Sequence, residues 1–152
     1  MIMSLFNILD IAGSGMMAQN VRLNTTASNV ANANSVTSSA GDTYRAREPV
    51  FAAQLQQQVT HQHGPLGAGI NKDLEALGGV RVAGIVESNK PLIQEYAPNH
   101  PMANEEGYIF KPNVNVVEEM ANMISASRSY QANVEVADAA KNLAKQTLRL
   151  GK

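Results

Sequence analysis

The chain has 152 residues, of which 44% are hydrophobic and 16% are charged, and its formal net charge is −1. This near-neutral balance argues against nucleic acid as the main partner, because phosphate binding requires an excess of Lys and Arg. The absence of cysteine excludes disulfides and thiolate metal sites, and the lack of a run of about 18 apolar residues predicts no membrane insertion.

The first predicted element is one long helix over residues 4–33, with Ser4 as its N-cap. Apolar and small residues recur at alternating spacings of four and three, which indicates a heptad seam. The seam residues are Leu5, Leu9, Ala12, Met16, Leu23 and Val30, with Gln19 and Thr26 as polar interruptions. Only Asp10 and Arg22 are charged within residues 1–41. Because a solvated face normally carries Lys and Glu, we expect the face away from the seam to contact protein as well.

Within this helix, the stretch NTTASNVANANS at residues 24–35 contains four asparagines and no charge. Asn is a poor helix former, but its amide can hydrogen-bond in places where a buried charge would be costly. We therefore expect Asn29 and Asn32 to take part in packing. Asn32 and Asn34 are also expected to mark the end of the helix.

A small β-rich insert is predicted over residues 43–111. After a loop at 35–42, the segment 43–59 is predicted to be extended, and GVRVAGIVES at 79–88 is the clearest strand because its valines alternate. GYIFK at 107–111 is predicted as a second short strand. The Gly-containing segment 60–78 is predicted to be a flexible loop.

The last predicted element is a second long helix that starts after Asn115. Asn115 and Glu118 form a capping-box pattern. A second heptad seam follows, interrupted by Lys141. Its members are Val116, Met120, Met123, Ser127, Tyr130, Val134, Ala137, Ala144 and Leu148. Acidic residues open the helix and basic residues close it, which complements the helix dipole, and Gly151 suits the position just beyond the end.

These elements predict an α+β fold. Residues 1–42 and 112–152 would form a helical domain in which the two helices pair as an antiparallel coiled coil, and residues 43–111 would form the insert between them. A seam rich in Ala and Met makes such a pair weakly stable alone. We therefore expect further helices to cover the remaining faces.

Candidate chemistry is sparse. His61 and His63, with His100 as a third ligand, are compatible with a metal site on the insert, but no nearby carboxylate completes it. GPLGAG at 64–69 lacks the GK[ST] ending of a phosphate-binding loop, and no local signature arranges Ser, His and Asp as a triad. The basic stripe Lys141, Lys145 and Arg149 is interpreted as dipole complementarity. We expect no enzyme activity, cofactor or metal; a soluble metal- or ligand-binding domain is the alternative.

Two stretches carry a resemblance to a known family. NTTASNVANANS followed by YRA, together with PNVNVVEEMANMISASRSYQANVEV and KQTLRLG, is similar to the terminal signatures of the bacterial flagellar rod and hook proteins. The similarity covers about 4–48 and 112–151. This copy has Ser38, Ser39 and Ala40 where the wider family more often keeps a tight Gly turn, and the segment 60–78 carries no family feature.

The resemblance implies a structural subunit of the proximal rod of the flagellar basal body. Such proteins are exported unfolded by the flagellar type III apparatus without a cleaved signal, and they assemble helically in the periplasm above the MS ring. The partners implied are further copies of the chain, the rod proteins FlgB, FlgF and FlgG, and the adaptor FliE. Another axial protein of the same family is the alternative.

Overall fold

Two long helices flank four short strands along the chain. The computed structural model describes residues 2–54 and 78–150, with side chains described over 6–54 and 78–149. The elements are α1 (Ile2–Asn32), β1 (Arg47–Ala53), β2 (Val80–Glu87), β3 (Ile93–Tyr96), β4 (Tyr108–Lys111) and α2 (Val116–Leu150). This order of helix, strands and helix agrees with the predicted α+β class. The predicted loop at 60–77, His61, His63 and Gly151 lie outside the described residues.

Helix α1 begins earlier than predicted and ends at Asn32, one residue before the predicted end. Ser4 therefore lies inside the helix, and its prediction as the N-cap is wrong. Near the C-terminal end, the hydroxyls of Thr25 and Thr26 donate to the carbonyls of Val21 and Arg22. Such bonds to the preceding turn satisfy uncharged polar side chains locally, without water.

Helix α2 begins at Val116, directly after Asn115. The Asn115 Oδ1 accepts from the backbone N–H groups of Val117 and Glu118, at 3.1 and 3.4 Å. The predicted N-cap is confirmed, and the acidic pair that follows it, Glu118 and Glu119, lies in the first turn, where the helix dipole favours negative charge.

The strands form two separate antiparallel pairs. Strand β1 pairs with β2, with a register shift between Val50 and Phe51, and β3 pairs with β4. The predicted strands at 79–88 and 107–111 are present, whereas β3 was not predicted. Gly107, at a φ of 81°, makes the turn into β4, a conformation that favours glycine.

The two helices pack along their lengths. A Cβ added to Gly15 would lie 2.8 Å from Asn133 Nδ2, and Arg22 Nη2 donates to Asn122 Oδ1 at 2.9 Å. The contact nearer the start of α1 lies nearer the end of α2, so the two helices run in opposite directions. The buried hydrophobic residues in the described part of the chain are small, apart from one isoleucine: Ala12, Ala18, Ala46, Ile109, Ala126 and Ala140.

Candidate assembly surfaces

Asn29 lies at the centre of a buried polar cluster at one end of the helix pair. Its side chain is 0% exposed. Its Nδ2 donates to the Arg47 carbonyl at 2.8 Å, and its Oδ1 accepts from the Arg47 N–H at 2.9 Å and from the Tyr44 hydroxyl at 2.8 Å. One side chain therefore fixes the end of α1 to the first residue of β1 through both backbone groups of that residue.

Asn113, just before α2, likewise bonds to backbone groups of other segments. Its Oδ1 accepts from the Ala46 N–H at 2.8 Å, and its Nδ2 donates to the Lys90 carbonyl at 2.8 Å. The Ser88 N–H donates to the Ala46 carbonyl at 2.7 Å. We refer to residues 29, 44, 46, 47, 113 and 119 as the polar junction, because they join α1, the β1–β2 sheet and the start of α2.

Glu119 is the acidic member of the polar junction. It is 8% exposed, and its Oε2 is buried without a hydrogen-bond partner among the described residues. Burial raises the pKa of this carboxyl above its ordinary value, and the nearby Glu118 and Glu48 add to the increase. The nearby Asn29 amide and the charge of Arg22 lower the pKa of this carboxyl and so act in the opposite direction.

No three His, Asp or Glu side chains among residues 2–54 and 78–150 lie close enough to hold a metal ion. His100 accepts a hydrogen bond from the Met102 N–H within a turn, at 3.1 Å. The polar junction joins its elements through the side-chain amides of Asn29 and Asn113, which bond to the backbone, and the Tyr44 hydroxyl, which bonds to Asn29.

The predicted packing residues of α1 lie as follows. Ala12 is 2% exposed and Asn29 is fully buried. Those that are half-buried are Leu9, Met16, Leu23, Val30 and Asn32. The side chain of Leu5 lies outside the described side chains. Asn32 Nδ2 donates to the Ser28 carbonyl at 2.8 Å, so its amide is satisfied within its own helix.

The predicted packing residues of α2 divide into two groups. The half-buried ones are Val116, Met123, Ser127, Tyr130, Val134, Ala137 and Ala144. Met120 and Leu148 are 54% and 72% exposed, so they do not lie in the contact between the two helices of one chain. Their part in contacts between subunits stays a prediction.

The contact line on α2 runs beside the predicted seam and includes residues that the hydrophobic pattern missed. Glu119 and Ala126 are buried, Asn122 binds Arg22, and Asn133 meets Gly15. Successive side chains of a helix point about 100° apart. A seam drawn through position 120 in place of 119 therefore lies beside the surface of α2 that contacts α1. The signal that could have found these residues is the small side chains at 126 and 140, at heptad spacing from 119 and 133.

Large apolar side chains lie on the outside of the helix pair. On α2, Val117, Met120 and Ile124 are 76%, 54% and 57% exposed; we call these three the outer face of α2. On α1, the outer face consists of Phe6, Asp10, Gly13, Met17, Asn20, Asn24, Ala27 and Ala31, at alternating spacings of four and three, with Asp10 as its charged member. Phe6 and Met17 are 63% and 75% exposed. Exposed apolar patches of this kind mark interaction surfaces.

Neither helix in the described part of the chain combines the length and the apolar character needed to cross a membrane.

Comparisons with known proteins cover both ends of the chain and nearly its whole length. A family model described as "Flagella basal body rod protein" matches residues 9–37, and one described as "Flagellar basal body rod FlgEFG protein C-terminal" matches residues 105–150.

Individual relatives are similar over almost the entire sequence. The flagellar basal-body rod protein FlgC of Salmonella typhimurium is 48% identical over 149 residues, covering 98% of this chain and 99% of its own. The FlgC of Yersinia enterocolitica is 49% identical with the same coverage, and that of Borreliella burgdorferi is 35% identical over 157 residues, covering 97% and 98%.

Proposed function

The chain belongs to the FlgC family of flagellar basal-body rod proteins, and we propose that it is a subunit of the proximal rod that assembles helically and helps to transmit torque from the MS ring to the distal rod. As a rod protein it is a structural subunit of the flagellar basal body and not an enzyme. It associates with other basal-body components. The proximal position and the named neighbours FlgB, FlgF, FlgG and FliE are part of the proposal.

The distribution of apolar side chains in the helix pair supports assembly with neighbouring subunits. The hydrophobic residues of the helix pair that are fully buried are alanines, while Phe6, Met17 and Leu148 are exposed. A monomer that keeps its large apolar side chains outside gains little from folding alone, because burial of such side chains supplies most of the stabilising free energy. The arrangement suits a subunit that completes its core with its neighbours.

The helix pair is proposed to act as an antiparallel coiled coil in the assembled rod. Opposed chain directions, the small side chains at the contact and the heptad spacing of both helices support this. Isolated helices are marginal in water without tertiary packing. A weak pair is also compatible with export as an unfolded chain through the flagellar type III apparatus into the periplasm, without a cleaved signal peptide.

A first experiment tests the monomer. We expect the purified chain in dilute solution to show low helicity in the terminal parts of the two helices, and therefore less helicity by circular dichroism than two complete helices would give, because the ends away from the polar junction lack neighbours. Helicity should rise when the chain assembles. Strong, cooperative helicity over both helices in a dilute monomer would contradict the proposal.

A second experiment tests the packing role of Tyr130, which is half-buried on α2. Tyr130→Asp should abolish rod assembly and swimming, because it places a charge among uncharged side chains. Tyr130→Phe is the matched control and should swim normally, since no hydrogen bond to the Tyr130 hydroxyl is seen among the described residues. A fully motile Tyr130→Asp strain would remove Tyr130 from the packing surface.

Tomography of a deletion strain tests the position in the axial structure. Loss of the whole rod above the MS ring is the expected result for a proximal subunit. Loss of the hook alone, with the rod intact, would show that the chain is a different axial protein.

A further inference from the structure

The outer face of α2 is apolar and carries no charge. Val117, Met120 and Ile124 follow one another at spacings of three and four, on the side of α2 that points away from α1. Residues 120–127 contain no charged side chain, and Arg128 ends this uncharged stretch. The surface therefore fits a partner that is itself uncharged, since a charge buried against it would lose its hydration.

The outer face of α1 has the matching chemistry. Its part nearest the polar junction consists of Asn20, Asn24, Ala27 and Ala31, all of them exposed and none charged. The two asparagines bond to each other, with Asn24 Nδ2 donating to Asn20 Oδ1 at 2.9 Å. Both amides thus have a partner already, and the alanines leave space for larger side chains from another helix.

The two outer faces lie at the same height along the helix pair. Arg22 contacts Asn122, and Asn29 contacts Glu119. Residues 20–31 of α1 therefore lie level with residues 117–124 of α2. A second copy placed beside the first, without sliding along the helix axis, would bring the large side chains of one face against the small ones of the other.

We propose that the outer face of α2 in one copy of this chain packs against the outer face of α1 in a second copy, with Ile124 seated over Asn24, Met120 over Ala27 and Val117 over Ala31. The inference rests on the proposed rod function and names the lateral contact within it. Because the two faces point away from each other in one molecule, the contact is heterologous and repeats from copy to copy. Pairing of two α2 outer faces would instead give a closed dimer, which cannot extend.

Cysteine cross-linking tests the contact directly, because the natural chain has no cysteine. Two copies of the full chain are expressed in one strain, one with Ala27→Cys and one, lengthened by a tag, with Met120→Cys. Mild oxidation of isolated basal bodies should give a cross-linked band that contains one copy of each, because a disulfide forms only at Cα separations of about 4.4–6.8 Å. Each cysteine alone should give no such band.

A matched control places the second cysteine elsewhere on the outward side of α2. Gln131→Cys is about 16 Å further along the helix at 1.5 Å per residue, so it should not cross-link to Ala27→Cys. Asn24→Cys with Ile124→Cys is the second reporting pair, used also if the Met120 variant does not enter basal bodies. Failure of both reporting pairs in basal bodies that contain the chain, or equal cross-linking at Gln131, overturns the contact.

A charge exchange gives an independent readout in cells. Met120→Lys and Ala27→Glu should each reduce the fraction of flagellated cells at least tenfold. The double variant should recover to within about threefold of the natural chain, because the two charges then meet across the interface. A double variant no better than the worse single variant contradicts the pairing. The proposed rod function fails separately, if a deletion strain still builds its rod.

Discussion

The two ends of the helix pair are held together by different kinds of contact. At the polar junction, Asn29 and Asn113 bond to the backbone at Arg47, Ala46 and Lys90, and the Tyr44 hydroxyl donates to the Asn29 side chain. The buried groups there are nearly all paired. At the opposite end, the helices meet through small residues such as Ala12 and Ala140, and large apolar side chains are exposed. The junction is held by hydrogen bonds that form within one chain, whereas the far end is held by contacts between small apolar side chains.

This difference predicts a gradient of stability within one molecule. Local opening is easiest where few apolar contacts are buried. Backbone amide exchange in the isolated chain should therefore be slowest around residues 25–32 and 116–122 and fastest near both helix ends of the far side. Uniform protection along both helices would remove the distinction between the two ends.

Replacing Asn29 should have the largest effect, because the residue is fully buried and holds three polar groups of Tyr44 and Arg47. Asn29→Ala leaves the two backbone groups of Arg47 without this partner, while the Tyr44 hydroxyl keeps only its bond with Ser28 Oγ at 3.3 Å. Each buried unpaired group costs about 1–3 kcal/mol. We expect a loss of about 3 kcal/mol or more in the local free energy of opening, measured by amide exchange at the junction.

The matched control for that experiment is Asn24→Ala. Asn24 is exposed, and its side chain bonds to the neighbouring Asn20 side chain, so its replacement should change the free energy by less than about 0.5 kcal/mol. If the two variants had equal effects, the junction would not be the stable end.

Several parts of this comparison were predictable from local sequence rules. The N-cap Asn115 and the strand at 79–88 each follow from residues a few positions apart, and both are present. The short strand β3 was not predicted, because its four residues IQEY become a strand only by pairing with β4, which lies more than ten residues further along.

The polar junction was only partly predictable, for the same physical reason. Asn29 was expected to take part in packing, but its partners at 44 and 47 lie across a loop whose course no local rule sets. On α2, a search by hydrophobicity selects Met120 over its neighbour Glu119, although Glu119 is the buried one. Buried polar residues are found only once their hydrogen-bond partners are known.

Glu119 should make the stability of the junction depend on pH. Its pKa is raised in the folded chain, chiefly by burial, so the folded state holds the proton more tightly than the unfolded state. The contribution of this group to the free energy of unfolding therefore increases as pH falls through the folded pKa, and it levels off below the unfolded value. Above the folded pKa, the charged carboxylate keeps its desolvation cost.

Glu119→Gln should consequently stabilise the junction at neutral pH by about 1 kcal/mol. The reason is that a neutral amide takes the place of a buried carboxylate, one oxygen of which has no hydrogen-bond partner among the described residues. The gain should disappear towards pH of about 4, where the natural carboxyl is protonated. Melting temperatures of the two proteins across this range measure it. Glu118→Gln removes the same dipole interaction from an exposed position and should show no such gain, and a gain that persists in acid would assign the effect to packing.

The smallest effects are expected from Gly→Ala changes at Gly13 and Gly15 of α1, which differ in what an added methyl group would contact. A Cβ at Gly13 would meet nothing within 4 Å, whereas a Cβ at Gly15 would lie 2.8 Å from Asn133 Nδ2. Both Gly→Ala changes gain about 1 kcal/mol of helix propensity. Gly13→Ala should keep that gain as added helicity at 222 nm, and Gly15→Ala should lose most of it, because the short Asn133 side chain must move.

Removing the Asn133 side chain separates the effect of helix propensity from the effect of packing at Gly15. Gly15→Ala combined with Asn133→Ala should recover helicity close to that of Gly13→Ala combined with Asn133→Ala, because the methyl group added on α1 then no longer meets the amide of α2. A double-mutant coupling of about 0.5–1 kcal/mol is expected for such a direct contact. If Gly15→Ala instead matches Gly13→Ala without the second change, the helices do not approach closely here in solution. The far part of the pair would then form only when neighbouring subunits hold it together.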